Sequence, residues 1–167
     1  MPAIKTGLAQ LTLKPAPLLL VCESVEKPGN LGAMLRTADA AGADAVISVD
    51  SVTDWANPNI IRASKGAIFS VPVADASQAE LHEWLKSNNI AVVASTPDAE
   101  MSYTKPDLTK GVALFIGTEK YGLSDFWLDR ADAKVRIPMV GKVNSLNAAT
   151  SGALLLYEAI RQRTTKN

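Results

Sequence analysis

The chain has 167 residues, 17 basic and 17 acidic side chains for a formal net charge of zero, and 47% hydrophobic residues, the balance of an ordinary globular protein of one domain. One cysteine, Cys22, excludes an internal disulfide framework, and one histidine, His82, excludes a His-rich metal site, so no resident metal is expected. The apolar runs, Leu18 to Cys22 among them, are far shorter than the roughly 20 residues a membrane span needs, and no signal-peptide pattern opens the chain, so a cytoplasmic location is expected.

Residues 1 to 16 read as a short N-terminal arm, followed by a single domain over 17 to 167. Strands are predicted at Leu18 to Cys22, Ala45 to Val49, Ile68 to Val73, Ile90 to Ala94, Val112 to Ile116 and Lys134 to Ile137. Between them, Leu31 to Ala40 reads as a helix capped by Asn30, and Asn57-Pro58 starts a short helix. Ser77, with Glu80 three residues on, opens a helix that carries Leu81, Trp84 and Leu85 on one face. A last helix is expected over Ser145 to Arg163, with Asn144 or Ser145 as its cap and Leu146, Ala149, Ala153, Leu156, Tyr157 and Ile160 at helical spacing. Strand and helix alternation with continuous apolar strands implies an α/β fold with a mostly parallel sheet flanked by helices.

Such sheets bind ligands at the carboxyl ends of their strands, and three segments there are unusual. The first is Pro28-Gly29-Asn30-Leu31-Gly32 running on to Arg36-Thr37-Ala38; its glycine spacing matches neither a dinucleotide fingerprint nor a P-loop. In the second, the Val112 strand ends in the glycine-framed turn Gly117-Thr118-Glu119-Lys120-Tyr121-Gly122-Leu123, where glycines let backbone approach a ligand and Glu119 offers an acceptor. In the third, Ile137-Pro138-Met139 leads through a loop to Ser145-Leu146-Asn147; a cap explains one polar residue there but leaves Asn147 for something besides the helix. His82 is expected on the surface, and Cys22, Trp55 and Trp127 in packing roles.

Taken together, across about 120 residues, these segments resemble the SPOUT-class RNA methyltransferases, in the SpoU/TrmH branch that methylates ribose 2′-hydroxyls with S-adenosylmethionine. Ser64-Lys65-Gly66-Ala67 and the closing Leu156-Tyr157-Glu158 with Arg161-Gln162-Arg163 also fit that pattern. The resemblance implies a C-terminal trefoil knot and a homodimer. It transfers cofactor contacts to Gly117, Ile137 and Leu146, with Thr96 at the end of the Ile90 strand as a further candidate, and it places Asn30, Arg36, Glu119, Ser145 and Asn147 around the reacting ribose. A guanidinium stays protonated, so Arg36 is expected to bind the adjacent phosphate and polarise the hydroxyl, with the alternative that it acts as general base.

The implied substrate is structured RNA, ribosomal RNA before transfer RNA. Many family members carry an N-terminal RNA-binding extension where this chain has about 16 residues before its first strand, so selection is expected from the core, a partner or a segment outside the chain. Lys27, Arg36, Arg62, Lys65, Lys120 and Lys142 lie in or beside the motif loops and could form a local RNA-facing patch despite the neutral total. The first alternative is a non-catalytic RNA-binding module on the same fold, which loss of motif residues would favour. The second is another α/β nucleotide-binding enzyme, which a phosphate loop would favour.

Overall fold

A computed structural model of the chain describes residues 4–50, 53–143 and 145–165. Its strands are β1 (Leu18–Glu23), β2 (Ala45–Val49), β3 (Val73–Ala76), β4 (Ala91–Ser95), β5 (Met101–Ser102), β6 (Val112–Ile116) and β7 (Ala133–Arg136). They form one seven-stranded sheet in the order β3-β2-β1-β6-β4-β7-β5, with every neighbouring pair parallel. The helices are α1 (Pro28–Ala41), α2 (Pro58–Ala63), α3 (Gln78–Ser87), α4 (Asp125–Arg130) and α5 (Ala148–Thr165). Alternate residues of a strand face opposite sides. On β1, Leu18, Leu20 and Cys22 therefore pack with α1, α2 and α5, while Leu19 and Val21 pack with α3 and α4. Covered on both faces, β1, β2 and β6 are buried at every residue, which is why they read as unbroken apolar runs.

Local chemistry explains where helices begin. α1 starts at Pro28 in its first turn, with Lys27 as a cap that makes no side-chain bond, so Asn30 does not cap this helix as expected but sits inside its first turn. The proline, whose missing N–H costs nothing at that position, moves the start upstream. α1 ends at Gly42 with φ of 69°, a left-handed conformation that suits glycine. Asn57 caps α2 by accepting a hydrogen bond from Asn59 N at 2.8 Å. The capping box of α3 forms as expected, Ser77 Oγ accepting from Glu80 N and Glu80 Oε1 accepting from Ser77 N.

Gly32 holds α1 against α2: a Cβ there would lie 2.4 Å from the Cβ of Ala63 and 2.9 Å from its carbonyl carbon.

Several sequence expectations move. The strand expected over Ile68 to Val73 is a 3-10 turn at Ala67–Phe69 followed by β3 from Val73; Ile68 is apolar because it is buried beneath α1, not because it is extended. α4 and the two-residue β5 were not anticipated. α5 begins three residues later than expected. Its cap is Asn147, whose Oδ1 accepts from Ala149 N at 2.8 Å and Thr150 N at 3.3 Å; of the two expected caps, Ser145 lies in the preceding loop and Asn144 falls outside the described residues.

The buried stripe of α5 is Ala148, Gly152, Leu155, Leu156 and Ala159, one position removed from the face expected. Ala149, Ala153 and Ile160 are half-buried and Tyr157 is 48% exposed. Cys22, Trp55 and Trp127 are buried. His82 is half-buried rather than on the surface, edge-on to the rings of Phe126 and Trp127. Ahead of β1, Thr6 O accepts from Asp75 N and Gln10 Nε2 donates to Val73 O, so the arm runs beside β3.

Candidate active site

In a parallel sheet all strands point the same way, so the residues that follow them gather along one edge. There a cavity of about 880 Å³ opens between the ends of β4, β6 and β7 and the start of α5. Thr96 follows β4, Gly117 follows β6, Ile137 follows β7, and Ser145 and Leu146 precede α5; all five line it. Apolar contributions come from Ile116, Leu128, Ile137, Met139 and Leu146, while Asp98, Asp125, Arg136 and Ser151 supply polar groups. These last four were not singled out from sequence, because a lone polar residue near a strand or helix end carries no local signal. A volume within the usual range for small-molecule sites, with apolar wall, exposed backbone and carboxyl groups, suits a nucleoside that bears amine and hydroxyl groups.

The loop after β6 owes its glycines to itself. A Cβ on Gly117 would sit 2.2 Å from the carbonyl carbon of Gly122 and 2.5 Å from Leu123 N, so the close approach that Gly117 permits is to its own loop rather than to a ligand. Gly122 takes φ of 68°, and Thr118 and Gly122 form an antiparallel bridge. Thr118 Oγ accepts from Tyr121 N at 3.0 Å. The loop is a closed, internally bonded unit.

A second cavity of about 280 Å³ adjoins the first and shares Thr118, Glu119, Lys120 and Ala148 with it. Its other side is the segment between β1 and α1, including Lys27 and Asn30. At the junction three expected residues meet. Asn147 Nδ2 donates to Asn30 Oδ1 at 3.0 Å and to Glu119 Oε1 at 3.3 Å, and Ala148 N donates to the same Glu119 oxygen at 3.4 Å. Asn147 thus both caps α5 and ties the three motif segments together. Asn30 is free to join because α1 began two residues upstream of it.

Arg36 lies elsewhere. It is exposed on α1, six residues past Asn30, hence about 9 Å along the axis, and it lines neither cavity. Of the other basic residues near the motifs, Lys27 and Lys120 line the smaller cavity, Lys120 and Lys142 the larger, and Arg62 and Lys65 are both exposed. Among the described residues no group of three or more His, Cys, Asp or Glu side chains is arranged to hold a metal ion, and no helix is long and apolar enough to cross a membrane.

Comparison with known proteins adds independent findings. Residues 17–157 match the model of the SpoU rRNA methylase family. The chain is 39% identical over 151 residues to the 23S rRNA (guanosine-2′-O-)-methyltransferase RlmB of Pseudomonas syringae, covering 90% of this chain and 60% of that protein. A solved RNA 2′-O ribose methyltransferase superposes with a TM-score of 0.88 at 48% identity, over 94% of this chain and 60% of the other. The SpoU methyltransferase AviRb of Streptomyces viridochromogenes, solved in complex with AdoMet, gives a TM-score of 0.90 at 33% identity, over 99% of this chain and 67% of the other. The chain spans 50–60% of the length of the curated relatives it matches.

Proposed function

The chain belongs to the SpoU rRNA methylase family, and we propose that it transfers a methyl group from S-adenosylmethionine to a ribose 2′-hydroxyl of structured RNA, ribosomal RNA before transfer RNA. The observation that carries this reading is the meeting of Asn30, Glu119 and Asn147 where a nucleoside-sized cavity joins a smaller one. When bound, S-adenosylmethionine supplies a methyl group on a sulfonium sulfur. Thr96, Gly117, Ile137 and Leu146 would hold it in the larger cavity through backbone groups and apolar wall. An apolar, preorganised wall favours transfer, because it does not stabilise the sulfonium charge that the transition state is losing.

The smaller cavity would take the ribose. Asn30 and Asn147 orient it, Ser145 reaches toward it from the wall of the larger cavity, and Glu119 accepts from a hydroxyl while its own position is fixed by Asn147 and Ala148 N. Holding the 2′-oxygen in line with the methyl group removes most of the entropic cost of the reaction. Arg36 binds the neighbouring phosphate and polarises the hydroxyl, whose proton passes to solvent as the oxygen takes the methyl group. Because Arg36 lines neither cavity, this role is assigned across a homodimer, with the partner's Arg36 reaching the trio. The stripe Ala149, Ala153, Tyr157 and Ile160, left half-covered at spacings of four, four and three along α5, is a suitable twofold surface.

The same reading includes a trefoil knot. Its support is the path of the chain, which leaves β7 near one edge of the sheet and returns to α5, packed on α1 and β6 near the middle. A cytoplasmic location follows from the proposed substrate.

The test is methyl transfer in vitro to ribosomal and transfer RNA, with modified riboses mapped by mass spectrometry in RNA from cells with and without the protein. One ribose methylated only when the protein is present is expected. No transfer to either RNA by folded protein that binds S-adenosylhomocysteine would favour the non-catalytic RNA-binding alternative.

A further inference from the structure

Glu23 ends β1 and is only 3% exposed. A carboxyl group at that depth is costly unless its oxygens are satisfied, and here they are. Oε1 accepts from Ser124 N at 2.6 Å, and Oε2 accepts from Ser124 Oγ at 2.7 Å and from Gln78 Nε2 at 3.0 Å. Gln78 Nε2 also reaches Ser124 Oγ at 3.3 Å.

Ser124 is the N-cap residue of α4 yet makes no side-chain capping bond. A serine in that position ordinarily turns its oxygen to the helix's free N–H groups. Its hydroxyl is directed to Glu23 instead, so α4 gives up its local cap for a tertiary contact. Ser124 also closes the loop that begins at Gly117. That loop is braced within itself, Gly117 pressed on Gly122 and Thr118 bridged to Gly122, and Glu23 holds the residue at its far end, Ser124. The loop carries much of one wall of the larger cavity and, through Glu119, the bond to Asn147.

We propose that Glu23 is a positioning residue: by holding both polar groups of Ser124 it sets the loop over Gly117–Leu123 at the height the cofactor cavity requires. The proposal rests on the S-adenosylmethionine reading above. The bonds lie beneath the loop, outside both cavities, so Glu23 acts without touching cofactor or RNA.

The test compares S-adenosylhomocysteine affinity, measured by calorimetry, with unfolding midpoints for the wild type, Glu23→Ala, Ser124→Ala and Glu158→Ala. Glu158 serves as the matched control: it is an equally buried carboxylate, 6% exposed, but its partners Arg161 and Gln162 lie far along α5 from the cavity. Removing hydrogen bonds to a charged group should cost about tenfold or more in affinity for Glu23→Ala and about threefold for Ser124→Ala, which keeps the backbone bond. Glu158→Ala should lower the midpoint while leaving affinity within about twofold. Affinity unchanged in both Glu23→Ala and Ser124→Ala overturns the assignment, as does a loss in Glu158→Ala equal to that in Glu23→Ala, since affinity would then merely follow stability. Should Glu23→Ala not fold, Ser124→Ala decides alone. Absence of binding by the wild type would instead overturn the cofactor reading and this inference with it.

Discussion

Asn147 performs two separable tasks, and substitution can divide them. Its Oδ1 caps α5 through Ala149 N and Thr150 N, while its Nδ2 donates to Asn30 and Glu119. Serine at 147 keeps a capping oxygen and loses the amide donor; alanine loses both. Loss of an asparagine cap costs about 1 kcal/mol, which for a chain of this length lowers the melting midpoint by about 2–4 °C. Serine should therefore melt close to wild type and alanine a few degrees lower. In methyl transfer the two should fall together, by about 10²-fold, because both leave Glu119 with Ala148 N as its remaining partner at the junction and leave the proposed ribose site unorganised. Thermal melts and initial rates at saturating cofactor measure the two effects. Full activity in Asn147→Ser would refute the reasoning for the amide, and an unshifted melt in Asn147→Ala would refute it for the cap.

Arg36→Ala should reduce methyl transfer by about 10²- to 10⁴-fold and Arg36→Lys nearly as much, since lysine keeps the charge but loses the planar fork; S-adenosylhomocysteine affinity, measured alongside, should hold, and near-normal turnover for lysine would show that charge alone suffices. The hydrogen bond from Arg161 holds the Glu158 carboxyl below its ordinary value, so its contribution to stability is complete above the unfolded carboxyl's range near pH 4.5 and is lost as pH falls through the lower native value. Urea midpoints measured from pH 6 down to pH 3 should therefore drop less steeply for Glu158→Gln than for wild type, and parallel curves would contradict this. Burial pushes the Cys22 thiol up to about 12, so a thiol reagent at pH 8 should label it only as fast as the protein unfolds; rapid labelling of native protein would show that β1 opens locally.

What the sequence disclosed depended on how local its signal was. Ala45–Val49 and Val112–Ile116 were legible to the residue because strands covered on both faces must be apolar throughout. β3 was misplaced because, at the sheet edge, it holds Asp75 for Trp55 Nε1 and so breaks its apolar pattern, whereas Ile68 supplies apolarity to a turn. The candidate-site residues stand out in the sequence as motifs, but their geometry does not. Pro28 decides that Asn30 faces the site rather than capping α1, and nothing within a few residues of Asn147 reveals that its partners lie 28 and 117 positions away. Glu23 and Ser124, 101 residues apart, each pass for commonplace when read singly.

The place of Asn147 also fixes when the site comes into being. A chain made from its N-terminus can pair β1 with β2 early, but the trio waits for the first turn of α5, and α5 further fastens the molecule through Gln162, which holds Leu108 N and Pro106 O, and Arg163, which holds Ala16 O, Leu108 O and Lys110 O. Until α5 docks, the side of the sheet bearing Leu20 and Ile116 lacks the cover that Gly152 and its neighbours provide, and a nascent chain in that state is prone to self-association. Assembly of the candidate site and cover of this face of the sheet thus arrive in the same late event.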